Sequence, residues 1–158
     1  GHPMPGGPVV DRYAMEAPGD AFVFPRPLLN KPGLEFSFSG LKTAMLRFRE
    51  ENPAVVRKQE PAVLSSFFQA VVDVLVEKTF RALESEKIPR LTVSGGLAAS
   101  KKLRQSFETA CARRNIELFY PPSQLCTDNA AMVACLAAHR YAQGRFDDLS
   151  LEAFPNMV

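Results

Sequence analysis

Three short stretches hold the residue types that could do chemistry: Ser94-Gly95-Gly96, Cys126-Thr127-Asp128-Asn129 and Pro5-Gly6-Gly7-Pro8. Glycines let a backbone approach an anion closely, and a helix that follows them offers free N–H groups and the positive end of its dipole. Ser94-Gly95-Gly96 has that form, and it also has the form of an ordinary tight turn. Asp128 stands where a helix is expected to begin, so the dipole favours its ionised form. A carboxylate kept charged there could hold a divalent cation, but the commoner role for an Asp at this place is to cap the helix through a bond to a backbone N–H. Pro5-Gly6-Gly7-Pro8 makes a stiff bend with open backbone, which is also the composition of a surface turn. Lys101, Lys102 and Arg104, with Arg113 and Arg114 further on, could meet phosphates or form a solvated helix face. His2 and His139 are the only histidines, and the chain has no HExxH, no Cys/His ligand set, no Walker loop and no GxSxG elbow. No complete catalytic constellation is present.

These residues need elements to position them. Eight of the thirteen prolines (Pro3, Pro5, Pro8, Pro18, Pro25, Pro27, Pro32 and Pro53) fall within residues 1–55. Proline fixes φ and lacks a donor, so this part is expected to be short helices and loops: Val9 to Ala17, then Leu41 to Glu51 capped by Ser39. Pro61 suits the first turn of a long helix running to Glu86. Its apolar residues Leu64, Phe67, Phe68, Val71, Leu75 and Leu83 make one stripe. Arg90 to Ser94 reads as a buried strand, 99–114 as a helix with Leu103, Phe107 and Cys111 on one face, and Ile116 to Tyr120 as a second strand. Asp128 to Gln143 reads as a small-residue helix stopped by Gly144. Helix–strand–helix–strand–helix order implies parallel strands with right-handed crossovers. The expected organisation is a Pro-rich helical and loop insert over 1–55, an α/β unit over 56–150 and a tail over 151–158. Both glycine and aspartate loops then lie beyond the carboxyl ends of the strands, where open α/β sheets bind ligands.

The chain has 158 residues, 46% of them hydrophobic and 23% charged, with a net charge of +2. This is the composition of one globular domain, and the charge is too small to argue for nucleic acid by itself. No apolar run approaches the roughly 18 residues of a membrane span. Three cysteines without a CxxC favour a reducing, cytoplasmic setting. The opening Gly1-His2-Pro3-Met4-Pro5 has neither a basic region nor an apolar stretch, so no signal peptide is expected. A start without Met in a Pro/Gly-rich loop, and a sheet of only two strands, lead to the expectation of a fragment.

The stretches Pro5-Gly6-Gly7-Pro8, Phe22-Val23-Phe24-Pro25-Arg26-Pro27, Phe36-Ser37-Phe38-Ser39-Gly40-Leu41-Lys42-Thr43, Ser94-Gly95-Gly96 and Cys126-Thr127-Asp128-Asn129-Ala130-Ala131-Met132 occur in this order. In order and spacing the chain resembles the TsaD family, the tRNA threonylcarbamoyladenosine transferases once labelled O-sialoglycoprotein endopeptidases. The resemblance covers about residues 3–150 and implies the C-terminal part of an actin-like ATPase fold (ASKHA, ribonuclease-H-like), an α/β architecture that is mostly helical with a small parallel sheet. It implies transfer of threonylcarbamoyl from threonylcarbamoyl-adenylate to the tRNA adenosine next to the anticodon. It further implies accessory proteins of that pathway and a divalent metal, iron or zinc. By resemblance Asp128 matches a metal ligand, Gly7 an adenylate contact, and Gly95 and Gly96 the loop near the nucleotide phosphate. Ser100 takes the place of the family's usual Asn among the substrate-binding positions. The family's two metal histidines and its N-terminal glycine-rich segments have no counterpart here, so the piece alone is expected to be inactive. Two alternatives stand beside this reading. One is a non-catalytic binding or assembly module, with a homo-oligomer formed through exposed apolar surface. The remote one is a metalloprotease, after the old label.

Overall fold

The computed structural model describes residue 2 and residues 4–152. Helices α1 (Gly7–Glu16), α2 (Ser39–Glu51) and α3 (Pro53–Glu86) are followed by strand β1 (Arg90–Thr92). A 3-10 turn (Gly96–Ala99), α4 (Lys101–Arg114), β2 (Glu117–Phe119), a second 3-10 turn (Ser123–Leu125) and α5 (Ala130–Ala142) complete the order. No regular element follows within the described part of the tail, and residues 153–158 lie outside the described residues. None of the described helices is long and apolar enough to cross a membrane.

Helix α3 is the element against which α1, α2 and α4 pack. It begins at Pro53, eight residues before the expected start, and passes through a kink at Gln59 (φ −130°, ψ 29°). Pro61 explains the kink: it has no N–H to give the turn before it, and its ring crowds the carbonyl four residues back. Beyond Pro61 the helix is buried on two sides, not along one stripe. Phe68, Val72, Phe80 and Leu83 pack with Ala14 of α1 and with Leu103, Phe107 and Cys111 of α4. Val63 and Ala70 pack instead with Phe24 and Leu41, backed by Phe22, Met45, Phe48 and Phe67. The stripe read from the sequence is therefore covered by the chain's own elements.

The Pro-rich segment is fastened to α3 by polar groups. The Phe22 amide donates to Ser66 Oγ (3.1 Å), and Ser65 Oγ donates to the Ala17 carbonyl (2.8 Å). Arg26 holds Asp73 through Nε (3.1 Å) and Nη2 (2.8 Å), and Gln69 donates to the other oxygen of Asp73 (2.7 Å). Lys78 is 1% exposed, and its ammonium donates to the Gly33 carbonyl at 2.7 Å. Arg81 donates to the carbonyls of Lys31 (2.9 Å) and Leu29 (3.0 Å). Ser39 does not cap α2: Phe38 holds the cap position, and Ser39 Oγ faces Ser37 Oγ at 3.2 Å.

The strands pair in parallel with Leu91 opposite Leu118, as the element order requires. The expected buried strand is only half covered. Leu91 and Leu118 are partly buried, and Arg90, Thr92, Glu117 and Phe119 are exposed. One face lies on the helices and the other is open. Two helices end on a left-handed residue that is not glycine. Lys87 (φ 53°) closes α3 with the Ile88 amide donating to Leu83, and Asn115 (φ 54°) closes α4 with the Ile116 amide donating to Cys111.

Candidate functional site

The chain brings the separate motifs to one cleft of ≈ 930 Å³. Gly7 and Asp11 of α1 form one wall, Gly96 and Ser100 another, and Thr127 closes it. Val10, Met15, Phe68 and Leu97 make much of its lining apolar. Gly95 precedes this wall with φ 89°, a conformation that a side chain would strain, and a Cβ at Gly7 or Gly96 would meet nothing within 4 Å. Backbone is thus open to a ligand on both glycine segments.

The α4 N-terminus departs from expectation. Its first amides are not free for an external anion, because Asp11 occupies them. One Asp11 oxygen accepts from the Ser100 hydroxyl (2.5 Å) and the Lys102 amide (3.1 Å), and the other accepts from the Lys101 amide (3.0 Å). A carboxylate on the positive end of a helix is favoured, and its hydrogen bonds are charge-assisted. Ser100 Oγ accepts in turn from the Leu103 amide (3.1 Å), so a single hydroxyl caps α4 and ties it to α1. Ser100 is 8% exposed, turned toward these partners. Among the described amides of the glycine segment, those of the Gly95–Leu97 turn stand ahead of the set that Asp11 takes.

Asp128 does not cap α5. Asn129 does: its Oδ1 accepts from the Met132 amide (3.0 Å), and its Nδ2 donates to the Thr127 carbonyl (2.9 Å). Asp128 is left exposed just outside the helix, beside Thr127 of the cleft wall. Among the described residues no three His, Cys, Asp or Glu side chains converge on a possible metal position. Asp128 offers one carboxylate, and the described residues by themselves do not fit a divalent ion. His139 is exposed on α5.

Arg104 is not on a solvated face. Its guanidinium stacks over the Tyr120 ring at 4.4 Å. Burial, reinforced by the Glu108 charge and opposed by Arg104, pushes the Tyr120 hydroxyl up to about 12. Burial also raises the Cys111 thiol, with Arg114 acting the other way.

The model of the family described as tRNA N6-adenosine threonylcarbamoyltransferase matches residues 1–135. The chain belongs to the TsaD family. Proteins named tRNA N6-adenosine threonylcarbamoyltransferase are 43% identical in Ruegeria pomeroyi, 45% in Paracoccus denitrificans and 42% in Thermotoga neapolitana. These alignments cover 98%, 98% and 97% of this chain, and 45%, 45% and 46% of the respective relatives. The chain therefore spans less than half the length of these TsaD relatives. The mostly helical fold with its small parallel sheet agrees with the TsaD architecture. Of the five positions singled out by the resemblance, Gly7, Gly96 and Ser100 line one cleft, Gly95 adjoins it, and Asp128 follows a lining residue. Asp11 was missed. Its signal was a carboxylate one helical turn after the Pro-Gly-Gly-Pro bend, with Met15 and no basic residue four positions on.

Proposed function

We propose that this chain is the C-terminal portion of a tRNA threonylcarbamoyl transferase. The reaction moves threonylcarbamoyl from threonylcarbamoyl-adenylate to the N6 amine of the tRNA adenosine next to the anticodon, forming the N–C bond and releasing AMP. The observation that carries this reading is the cleft that collects Gly7, the Gly96–Ser100 turn and Thr127 from three separate segments. Its apolar lining suits a flat purine. The backbone at Gly95 and Gly96 can approach the adenylate phosphate, where amides neutralise charge. Asp128 adds one carboxylate to a metal position whose other ligands lie outside the described residues, so the chain alone is inactive. The test is to incubate the purified chain with threonylcarbamoyl-adenylate and unmodified tRNA, and to assay the modified nucleoside by mass spectrometry. No product is expected, and turnover like that of the Thermotoga neapolitana relative overturns the inactivity. AMP is expected to shift the amide resonances of Gly95, Gly96 and Ser100, and unmoved resonances overturn the assignment of the cleft.

A second reading, an assembly module, has its own observation. The α5 helix exposes Met132 (56%), Val133 (66%) and Leu136 (56%), and no residue of it is buried. Its stretch from Ala130 to Ala138 is apolar on every side, and such a surface belongs inside a larger body. Concentration-dependent association in sedimentation velocity is expected, and a clean monomer at high concentration overturns it.

A further inference from the structure

The two segments that build the glycine side and the aspartate side of the cleft leave different strands and have no covalent reason to keep a fixed spacing. One guanidinium spans them. Arg104 Nε donates to the Ala98 carbonyl at 2.5 Å, in the turn that carries Gly96. Its Nη2 donates to the Pro121 carbonyl at 3.0 Å and lies 3.3 Å from Cys126 Sγ, in the loop that leads to Thr127 and Asp128. The plane of the fork is set by the Tyr120 ring beneath it, and the Tyr120 hydroxyl donates back to the Arg104 carbonyl at 3.2 Å. Both ends of the span are closed to water: Ala98 is 1% exposed and Cys126 is 4% exposed.

We infer that Arg104 is a positioning residue that fixes the separation of the Gly95–Ala99 turn from the Pro121–Asp128 loop. A planar fork with fixed N–H directions can hold two carbonyls and one sulfur at once while stacked on a ring, and an ammonium point charge cannot. For the cleft, this means that the nucleotide side and the carboxylate side are set by a residue that touches neither ligand. The functional part of the inference rests on the proposed adenylate reading, whereas the strut itself does not.

The test reads thiol exposure in the full chain with dithiobis(nitrobenzoate), assigning each labelled cysteine by peptide mass. In the unsubstituted protein Cys135, which is exposed, reacts first, and buried Cys111 and Cys126 lag. In Arg104→Ala, labelling of Cys126 is expected to accelerate about tenfold or more, the order set by losing the bonds of a charged donor. Cys111, packed against α3 under the opposite end of α4, is expected to keep its rate. Arg104→Lys keeps the charge and the stem and is expected to behave like the Ala variant. Cys126 staying protected in both variants overturns the inference. So does acceleration of Cys111 and Cys126 together with a lowered melting temperature, because that reports general loosening. A parallel titration with AMP separates the two readings. Weaker binding in Arg104→Ala supports the role in the cleft, and unchanged binding overturns that role. Failure of the unsubstituted chain to bind AMP overturns the adenylate reading and leaves the thiol result as the measure of the strut.

Discussion

Replacing Asp11 by Ala should destabilise the chain far more than its half-exposed position on α1 suggests. The side chain accepts three hydrogen bonds, from the Ser100 hydroxyl and from the amides of Lys101 and Lys102. A hydrogen bond to a charged group contributes about 1.5–3 kcal/mol when buried, and a carboxylate on a helix dipole about 0.3–1 kcal/mol. Lys101 is exposed, so water can replace part of what is lost there. The net cost should be about 2–4 kcal/mol, a fall in Tm of roughly 4–16 °C for a chain of this size. Asp11→Asn keeps the shape and one acceptor oxygen and should lose about half as much. Urea unfolding followed by far-UV circular dichroism gives the free energies. The paired variant Asp11→Ala with Ser100→Ala supplies a further check. The two residues share a bond, so their effects should fall short of additivity by about 0.5 kcal/mol or more. An Asp11→Ala protein within about 0.5 kcal/mol of the parent, or strict additivity with Ser100→Ala, would refute the bridge between α1 and α4.

Three other outcomes follow from the structure. Tyr120 keeps its proton in the folded chain up to about 12, against 10.0 when unfolded. The folded state then binds the extra proton, so stability should fall as pH rises from about 10 to about 12, and Tyr120→Phe should remove that part of the slope in pH-dependent urea melts. Lys87→Gly should raise stability by up to about 1 kcal/mol, because glycine adopts the left-handed turn at the end of α3 without strain; an unchanged urea midpoint would count against this. Calorimetric titration of the chain with zinc should show no heat that depends on Asp128, and an Asp128→Ala variant that abolishes a measurable signal would mean that the described residues hold a metal after all.

Local pattern made much of this architecture readable. Leu103, Phe107 and Cys111 recur at helical spacing and are all buried, and Gly144 sits at φ 67° just past α5. The parallel pairing followed from the order of elements. What escaped depends on partners far away in the chain. Asp11 meets Ser100 across a separation of 89 residues, and nothing within a helical window announces such a contact. The second buried side of α3 carries Ser65, Ser66 and Lys78, polar residues that read as a solvent face until Ala17, Phe22 and Gly33 arrive to bond them. Asp128 and Asn129 are both good caps, and the extended backbone of Asn129 (φ −151°, ψ 156°) decides between them. Arg104 reads as one of a basic group because its neighbours Lys101 and Lys102 are polar too. Only the fold shows it turned toward Tyr120.

The burial of Lys78 gives the molecule a built-in gauge of its own opening. An acylating reagent meets the amines of Lys31, Lys42, Lys58, Lys87 and Lys101 at the surface, all on exposed residues. The Lys78 amine, donating to carbonyls of the Lys31–Gly33 loop, is shut away until that loop lifts or α3 unravels. The ratio of label at Lys78 to label at Lys42 therefore counts opening events, and a molecule that binds the chain would register as a slower count without being labelled itself.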